Sequence, residues 1–189
     1  MKVYLYATIF LSFSIQALEP ISLSIDDLIV KSRLTRVEGD FQQKNFLRNL
    51  RKPLVSTGRY TFDVCNKKLV WHIETPIVAS IQLNKTEFAQ TDAFGNTQRL
   101  SMDANPVIGM ISQIFISLMS LDTIGLENFF NIEIIGTKQS WHITLHPKMG
   151  TLQNYFNRVE LRGSTYIDQL TFDDAQGEKT QILFTHAAS

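Results

Sequence analysis

The sequence predicts an α+β fold in which helices pack on a strongly curved antiparallel sheet, or incomplete β-barrel. Three observations carry that expectation. About ten stretches alternate apolar and polar residues with the period of two that a one-faced strand requires. Turn residues join successive stretches as hairpins. One uncharged, helix-like segment interrupts the strands near the middle of the chain. About ten strands in antiparallel succession do not stay flat; they curl or begin to close.

Taken in order, Lys2 is followed by an apolar run from Val3 to Ile15 and then by Gln16-Ala17, the pattern of a secretory signal peptide. A membrane anchor needs about 20 apolar residues, and Ser12, Ser14 and Gln16 interrupt this run. Residues 1–17 are therefore expected to be removed near Ala17, leaving 18–189 as a single exported domain. No cysteine stands near that point, so no lipid anchor is expected. Ser24 and Asp27 form a capping pattern, after which Ile25, Leu28 and Ile29 make one stripe and Val30, Leu34 and Val37 its neighbour. A helix is expected there, with Lys31, Arg33 and Arg36 on its exposed side. Adjacent Asp26 and Asp27 suit a helix start better than acid–base chemistry, because neighbours on a helix point apart.

The period then changes to two. Val37, Gly39 and Phe41 alternate with polar residues, as do Tyr60, Phe62 and Val64, and then Leu69, Trp71 and Ile73 up to Pro76. Ile77 to Leu83 reads as a further strand before Phe88, and Asp92-Ala93-Phe94-Gly95-Asn96 as a turn. In the second half the strands are Phe129 to Ile135, Trp141 to His146, Arg158 to Arg162, Ile167 to Phe172 and Gln181 to Phe184, with a hairpin at Asp174-Ala175-Gln176-Gly177.

Pro106 to Leu121 carries no charge, and Asn105-Pro106 makes a helix start. Gly109, Gln113, Ser117 and Ser120 form a narrow polar stripe that would face water, while apolar residues surround the rest of the axis. The segment is too short to cross a bilayer. It is either a core helix plugging the sheet or a movable lid over an apolar cavity, with Met110 and Met119 able to repack around varied ligands and Gly125 as a hinge.

A formal net charge of +0 gives no electrostatic reason for a nucleic-acid partner. The local exception is Lys44, Arg48, Arg51 and Lys52, either a solvated loop or a docking patch for anionic partners or lipid headgroups. Cys65 is the sole cysteine, which forbids an internal disulfide, and a small residue at least half-buried is expected there. His142 and His146 invite a metal site, but on a strand their rings start about 13 Å apart; His72 and His186 fit solvent-facing positions. No Gly-x-Ser-x-Gly, phosphate loop or dinucleotide fingerprint is present, so neither catalysis nor a cofactor is expected, though scattered residues could still assemble a triad. Trp71 and Trp141 read as core anchors or as walls of a ligand cavity.

The order of features resembles a known family. Gly39-Asp40-Phe41-Gln42-Gln43-Lys44, then Arg51-Lys52-Pro53-Leu54-Val55-Ser56-Thr57-Gly58-Arg59-Tyr60-Thr61-Phe62, then Leu69-Val70-Trp71-His72-Ile73-Glu74-Thr75-Pro76, is similar to the outer-membrane lipoprotein carrier (LolA) family of Gram-negative bacteria. The Pro-Leu-x-Ser-x-Gly wording resembles an offshoot associated with export of other lipids or acyl-linked pigments. The resemblance implies an incomplete antiparallel β-barrel with α-helices forming a lid over its concave face, and a periplasmic chaperone that carries acyl chains of lipoproteins or other lipids. It also implies an arginine before the tryptophan strand that helps hold the lid; here Lys67 and Lys68 are the nearest basic residues.

On this reading Phe41, Tyr60, Phe62, Trp71, Ile73, Leu83, Trp141 and Ile143 would line the sheet side of a lipid-binding cavity, and Ile108, Ile111, Phe115 and Met119 the lid side. Lys44, Arg48, Arg51 and Lys52 would dock partners. Expected partners are lipid or lipidated cargo, an inner-membrane transporter as donor and an outer-membrane acceptor, with the protein itself a monomer. The rival reading is a ligand-free adaptor of an envelope transport complex. Shielding is worth having: at roughly 0.8 kcal/mol per methylene, a chain of about 14 carbons bare in water costs on the order of 10 kcal/mol.

Overall fold

The computed structural model describes residues 35–148 and 150–187. The expected signal peptide and nearly all of the expected N-terminal helix lie outside these residues. Arg36 and Val37, read as the end of that helix, stand instead in a strand, where they pair with Asp63 and Phe62.

Among the described residues eleven strands form the sheet: β1 (Arg36–Phe46), β2 (Leu54–Asp63), β3 (Lys68–Thr75), β4 (Ala79–Leu83), β5 (Glu87–Thr91), β6 (Thr97–Ser101), β7 (Phe130–Thr137), β8 (Ser140–Pro147), β9 (Phe156–Gly163), β10 (Ile167–Asp174) and β11 (Lys179–His186). Their spatial order is β6-β5-β4-β3-β2-β1-β11-β10-β9-β8-β7, antiparallel throughout and unclosed. Two meanders therefore meet where the first strand pairs with the last, Phe41 opposite Phe184. The link between the outer strands β6 and β7 carries α1 (Pro106–Met119) and α2 (Thr123–Glu127), and α3 (Gly150–Gln153) follows β8. Among the described residues no helix is long and apolar enough to cross a membrane.

Residues directly opposite in an antiparallel pair share a face, so the register sorts the side chains. Trp71 stands opposite Tyr60 and Ile81, Leu69 opposite Phe62 and Leu83. Across the seam Ile143 stands opposite Leu161 and Ile134, and Leu145 opposite Val159 and Ile132. These residues pack into one apolar core. Ile114, Ile116 and Leu118 of α1 are buried in that same core, so the helix lies against this face. Each such side chain taken fully out of water contributes about 1.5–3 kcal/mol, which explains why a run with no charge settles here.

Two glycines permit close approach. Gly39 lies between Tyr60 and His186 in the register, and a methyl group on it would collide with the Thr185 carbonyl. Gly163 lies under the Trp141 ring, whose Nε1 donates to the Ser164 carbonyl at 2.6 Å.

Several local expectations need correction. Ile77 and Val78 precede β4 in an exposed turn, because pairing resumes only at Ala79. β6 was not expected; it is an edge strand with one partner, and Leu100 is its sole large apolar residue. Cys65 is exposed, since it falls in the β2–β3 turn rather than on a packed face.

Candidate functional site

Helix α1 begins at Pro106 as the sequence predicts, but Asn105 does not cap it; its side-chain amide donates to the Ser101 carbonyl at 3.0 Å. Past its end Leu121 takes a positive φ of 48°, and Asp122 caps α2 by accepting the Gly125 N–H at 3.1 Å. The polar stripe does not all face water: Gln113 is exposed, whereas Ser117 is buried because α2 folds over it, leaving no room for a side chain at Gly125. Ser112, outside that stripe, is also buried.

The two flanks of α1 border two depressions. The first, about 540 Å³, brings Lys67 and Lys85 together with Met110, Gln113, Ser117 and Asp122. Across it the Lys67 ammonium donates to Asp122 Oδ2 at 2.7 Å, tying the β2–β3 turn to the start of α2. That bond, followed by the Gly125 N–H, holds the Asp122 carboxyl below the usual carboxylate range. Lys67, which does not stand where the resemblance places an arginine, reaches the helical segment through Asp122, the cap of α2 that sequence reasoning missed. Asp122 was findable as the first charge after the uncharged run, one residue before Thr123.

The second depression is a groove of about 360 Å³ between Ile111 and Phe115 of the helix and Phe156 and Phe172 of the sheet, with Leu47 and Leu54 at its rim. Below it runs an aromatic ladder. Phe41 stacks on Trp71 at 3.9 Å between centroids, and Phe115 lies 6.2 Å from both Trp71 and Phe172, which belong to strands four places apart in the sheet. Phe156 continues the row 5.7 Å from Phe172.

The sequence-predicted residues divide accordingly. Phe41, Tyr60, Phe62, Trp71, Leu83, Trp141 and Ile143 are buried on the helix-bearing face, and Ile73 is half-buried beside them. Ile108, Ile111, Phe115 and Met119 are half-buried on α1; of these, Ile111 and Phe115 border the groove. Phe156, Leu47 and Leu54 were not singled out, because their positions at strand starts and in a loop hide their direction. Lys44 is half-buried on β1, while Arg48, Arg51 and Lys52 are exposed in the β1–β2 loop.

His72 and His186 were expected to face solvent, but His72 is half-buried and His186 is tucked in. Its Nδ1 shares a hydrogen bond of 2.8 Å with Tyr60 Oη, its ring lies 4.6 Å from that of Tyr166, and Asp168 Oδ1 is 3.6 Å from its Nε2. Burial lowers its pKa. The order carboxylate, imidazole, hydroxyl has the form of a relay, yet the Tyr60 hydroxyl is buried and burial pushes its pKa upward, the opposite of an activated nucleophile. His142 and His146 both lie on β8. Among the described residues no three potential metal ligands converge.

A family model described as "Outer membrane lipoprotein carrier protein LolA-like" matches residues 19–189. No curated protein matches the chain by sequence. Among solved structures, it is similar to a LolA superfamily protein from Nitrosomonas europaea at 8% identity, with 85% of this chain and 87% of that one covered and a TM-score of 0.44. A domain from Vibrio parahaemolyticus, named for outer membrane lipoprotein sorting, is similar at 9% identity, with 78% and 83% covered and a TM-score of 0.37.

Proposed function

The chain belongs to the LolA-like family of outer membrane lipoprotein carrier proteins, and from that premise we propose that it is a periplasmic carrier that shelters acyl chains and moves them from the inner toward the outer membrane. The cargo is a lipoprotein or another lipid, received from an inner-membrane transporter and passed to an outer-membrane acceptor. The observation that carries this reading is the groove whose walls are Ile111 and Phe115 on one side and Phe156 and Phe172 on the other. A slot between a helix and a sheet, walled by aromatic and aliphatic side chains with Asp174, Glu178 and Lys179 at one edge, suits a methylene chain with a polar end.

In this reading the sheet curls around α1 as an incomplete barrel. A single Phe115 ring within reach of strands four places apart supports that shape, since four strand spacings on a flat sheet would be about 19 Å. The helix is the lid. Acyl chain takes the place of Phe115 on the aromatic ladder, the helix moves outward, and the sheet-side residues from Phe41 to Ile143 become the wall of the enlarged slot. Lys67 and Asp122 hold the closed form on the opposite flank. About a third exposed to water on each partner, that ion pair is weak enough to exchange.

The test is native mass spectrometry of the protein purified from its own envelope. Acyl species should copurify and be displaced by a fluorescent fatty acid in a saturable, single-site titration. A protein that carries no acyl species and shows no saturable site would instead be the ligand-free adaptor, whose core is filled by its own aromatic ladder.

A further inference from the structure

In an antiparallel meander every second connection falls at the same end of the sheet, and here the two ends differ in kind. One end collects the β2–β3, β4–β5 and β7–β8 turns, whose exposed residues include Cys65, Asn66, Lys85 and Lys138, with Ile135 beside the last of them the one exposed large apolar strand residue described there. The other collects the β1–β2, β3–β4 and β5–β6 hairpins, and each of these tips presents large apolar side chains to water. Leu50, Leu54 and Val55 are exposed on the first, Ile77 and Val78 on the second, and Phe94 is 91% exposed on the third. These three hairpins are neighbours along the sheet, the outer two four strand spacings apart, which is at most about 19 Å. Exposed hydrophobics scattered singly need no explanation; grouped at one end of an elongated sheet, they do.

Charge at this end is also patterned. Lys44, Arg48, Arg51 and Lys52 belong to the first hairpin, and no acidic residue lies between Asp40 and Asp63. Among the described residues none of the four basic side chains forms an ion pair, the Arg48 guanidinium resting against Gly177. Of the nearby acids, Glu178 lines the groove next to Gly177 and the others are engaged locally. Asp92 and Asp174 accept backbone N–H groups of their own turns, Asp173 pairs with Arg158 and Lys179, and Glu74 pairs with Arg59.

From this we infer that the end bearing the three hairpin tips is a membrane-docking surface for a bilayer containing anionic lipid. Arg48, Arg51 and Lys52 meet headgroup phosphates, while Leu50, Ile77 and Phe94 enter the boundary between headgroups and acyl chains, the division of labour that interfacial binding requires. Leu54 belongs both to this end and to the rim of the groove, so the slot opens beside the lipid surface. The inference concerns the outer surface and stands whether or not the groove holds a ligand.

Cosedimentation of the protein, in the processed form the cell makes, with phosphatidylcholine vesicles and with vesicles one-third phosphatidylglycerol tests it. Binding should favour the anionic vesicles at about 0.15 M salt and be largely lost at about 1 M. Arg48→Gln, Arg51→Gln and Lys52→Gln together should weaken it about 100-fold, at about five-fold per basic residue, and Phe94→Asp alone should weaken it several-fold. Lys138→Gln, at the opposite end, should leave it unchanged. All of these positions are exposed, and unchanged melting curves confirm that the variants fold. Equal binding to both vesicles, or equal loss from Lys138→Gln, overturns the inference. Absence of binding to either vesicle also overturns it and leaves a protein partner for these loops.

Discussion

The two flanks of α1 are held by different physics. On the flank facing the β2–β3 turn the contacts are polar and directional: Lys67 reaches Asp122, Asp122 caps α2, and α2 covers Ser117. On the flank facing β9 and β10 the groove between Ile111, Phe115, Phe156 and Phe172 is bordered by apolar surface that water wets poorly. A polar tie fixes where a helix sits and breaks at small cost when exposed to water. An apolar slot has no preferred partner and accepts whatever hydrocarbon fills it. The contrast teaches that one side of this helix is held by directional polar contacts while the other borders an open, mostly apolar slot.

The largest effect is expected from the floor under both flanks. Trp71→Ala removes the ring that touches Phe41, Tyr60, Phe115 and Phe184, and should cost about 3–5 kcal/mol of stability in urea denaturation. A loss below about 1 kcal/mol would mean that the floor is not shared. Next is the apolar flank: Phe115→Ala should cost about 2 kcal/mol, less than a fully buried aromatic because Phe115 is half-buried. It should also widen the slot, so a titration with fatty acids of increasing length should shift in favour of bulkier chains. Unchanged chain-length preference would detach the groove from binding.

The smallest effect belongs to the polar flank. Lys67→Met should cost about 0.5–1 kcal/mol, since both partners are about a third exposed and water screens them. Its pH dependence is the sharper reading. A carboxyl whose folded pKa is lowered contributes stability that is full above its unfolded value of about 3.9 and lost as pH falls through the lowered value. The stability gap between wild type and Lys67→Met should therefore be constant at neutral and mildly acid pH and close below about pH 3.9. A gap that persists at lower pH would show that the effect of Lys67 does not run through the Asp122 carboxylate.

Much of the sheet was legible because alternation survives wherever one face is buried. Tyr60, Phe62, Leu69, Trp71, Trp141 and Ile143 each occupy the parity that the pattern gave them, and the register brings them to one face. Legibility failed where burial is weak. Thr97-Gln98-Arg99-Leu100-Ser101 is a strand by pairing alone, its Arg99 answering Glu87 on β5. Ile77 and Val78 look like strand residues and stand in a turn, and their composition gives no hint that an outward position has a use. The tie between Lys67 and Asp122 spans 55 positions, a distance that only the folded chain closes. The groove was half legible: the helix side followed from the uncharged run, whereas Phe156 at the start of β9 carried no periodic signal.

The seam between β1 and β11 has a consequence for biogenesis. Because the earliest strand finds its second neighbour only in the latest one, neither meander can shed its raw inner edge until residues 179–186 have emerged. An exposed edge strand invites foreign pairing, and such distant closure is slow. A chain synthesised from its N-terminus would thus wait half-assembled until its tail arrives, and a stop codon just ahead of Lys179 would remove only a short tail yet split the sheet at its centre rather than trim its rim.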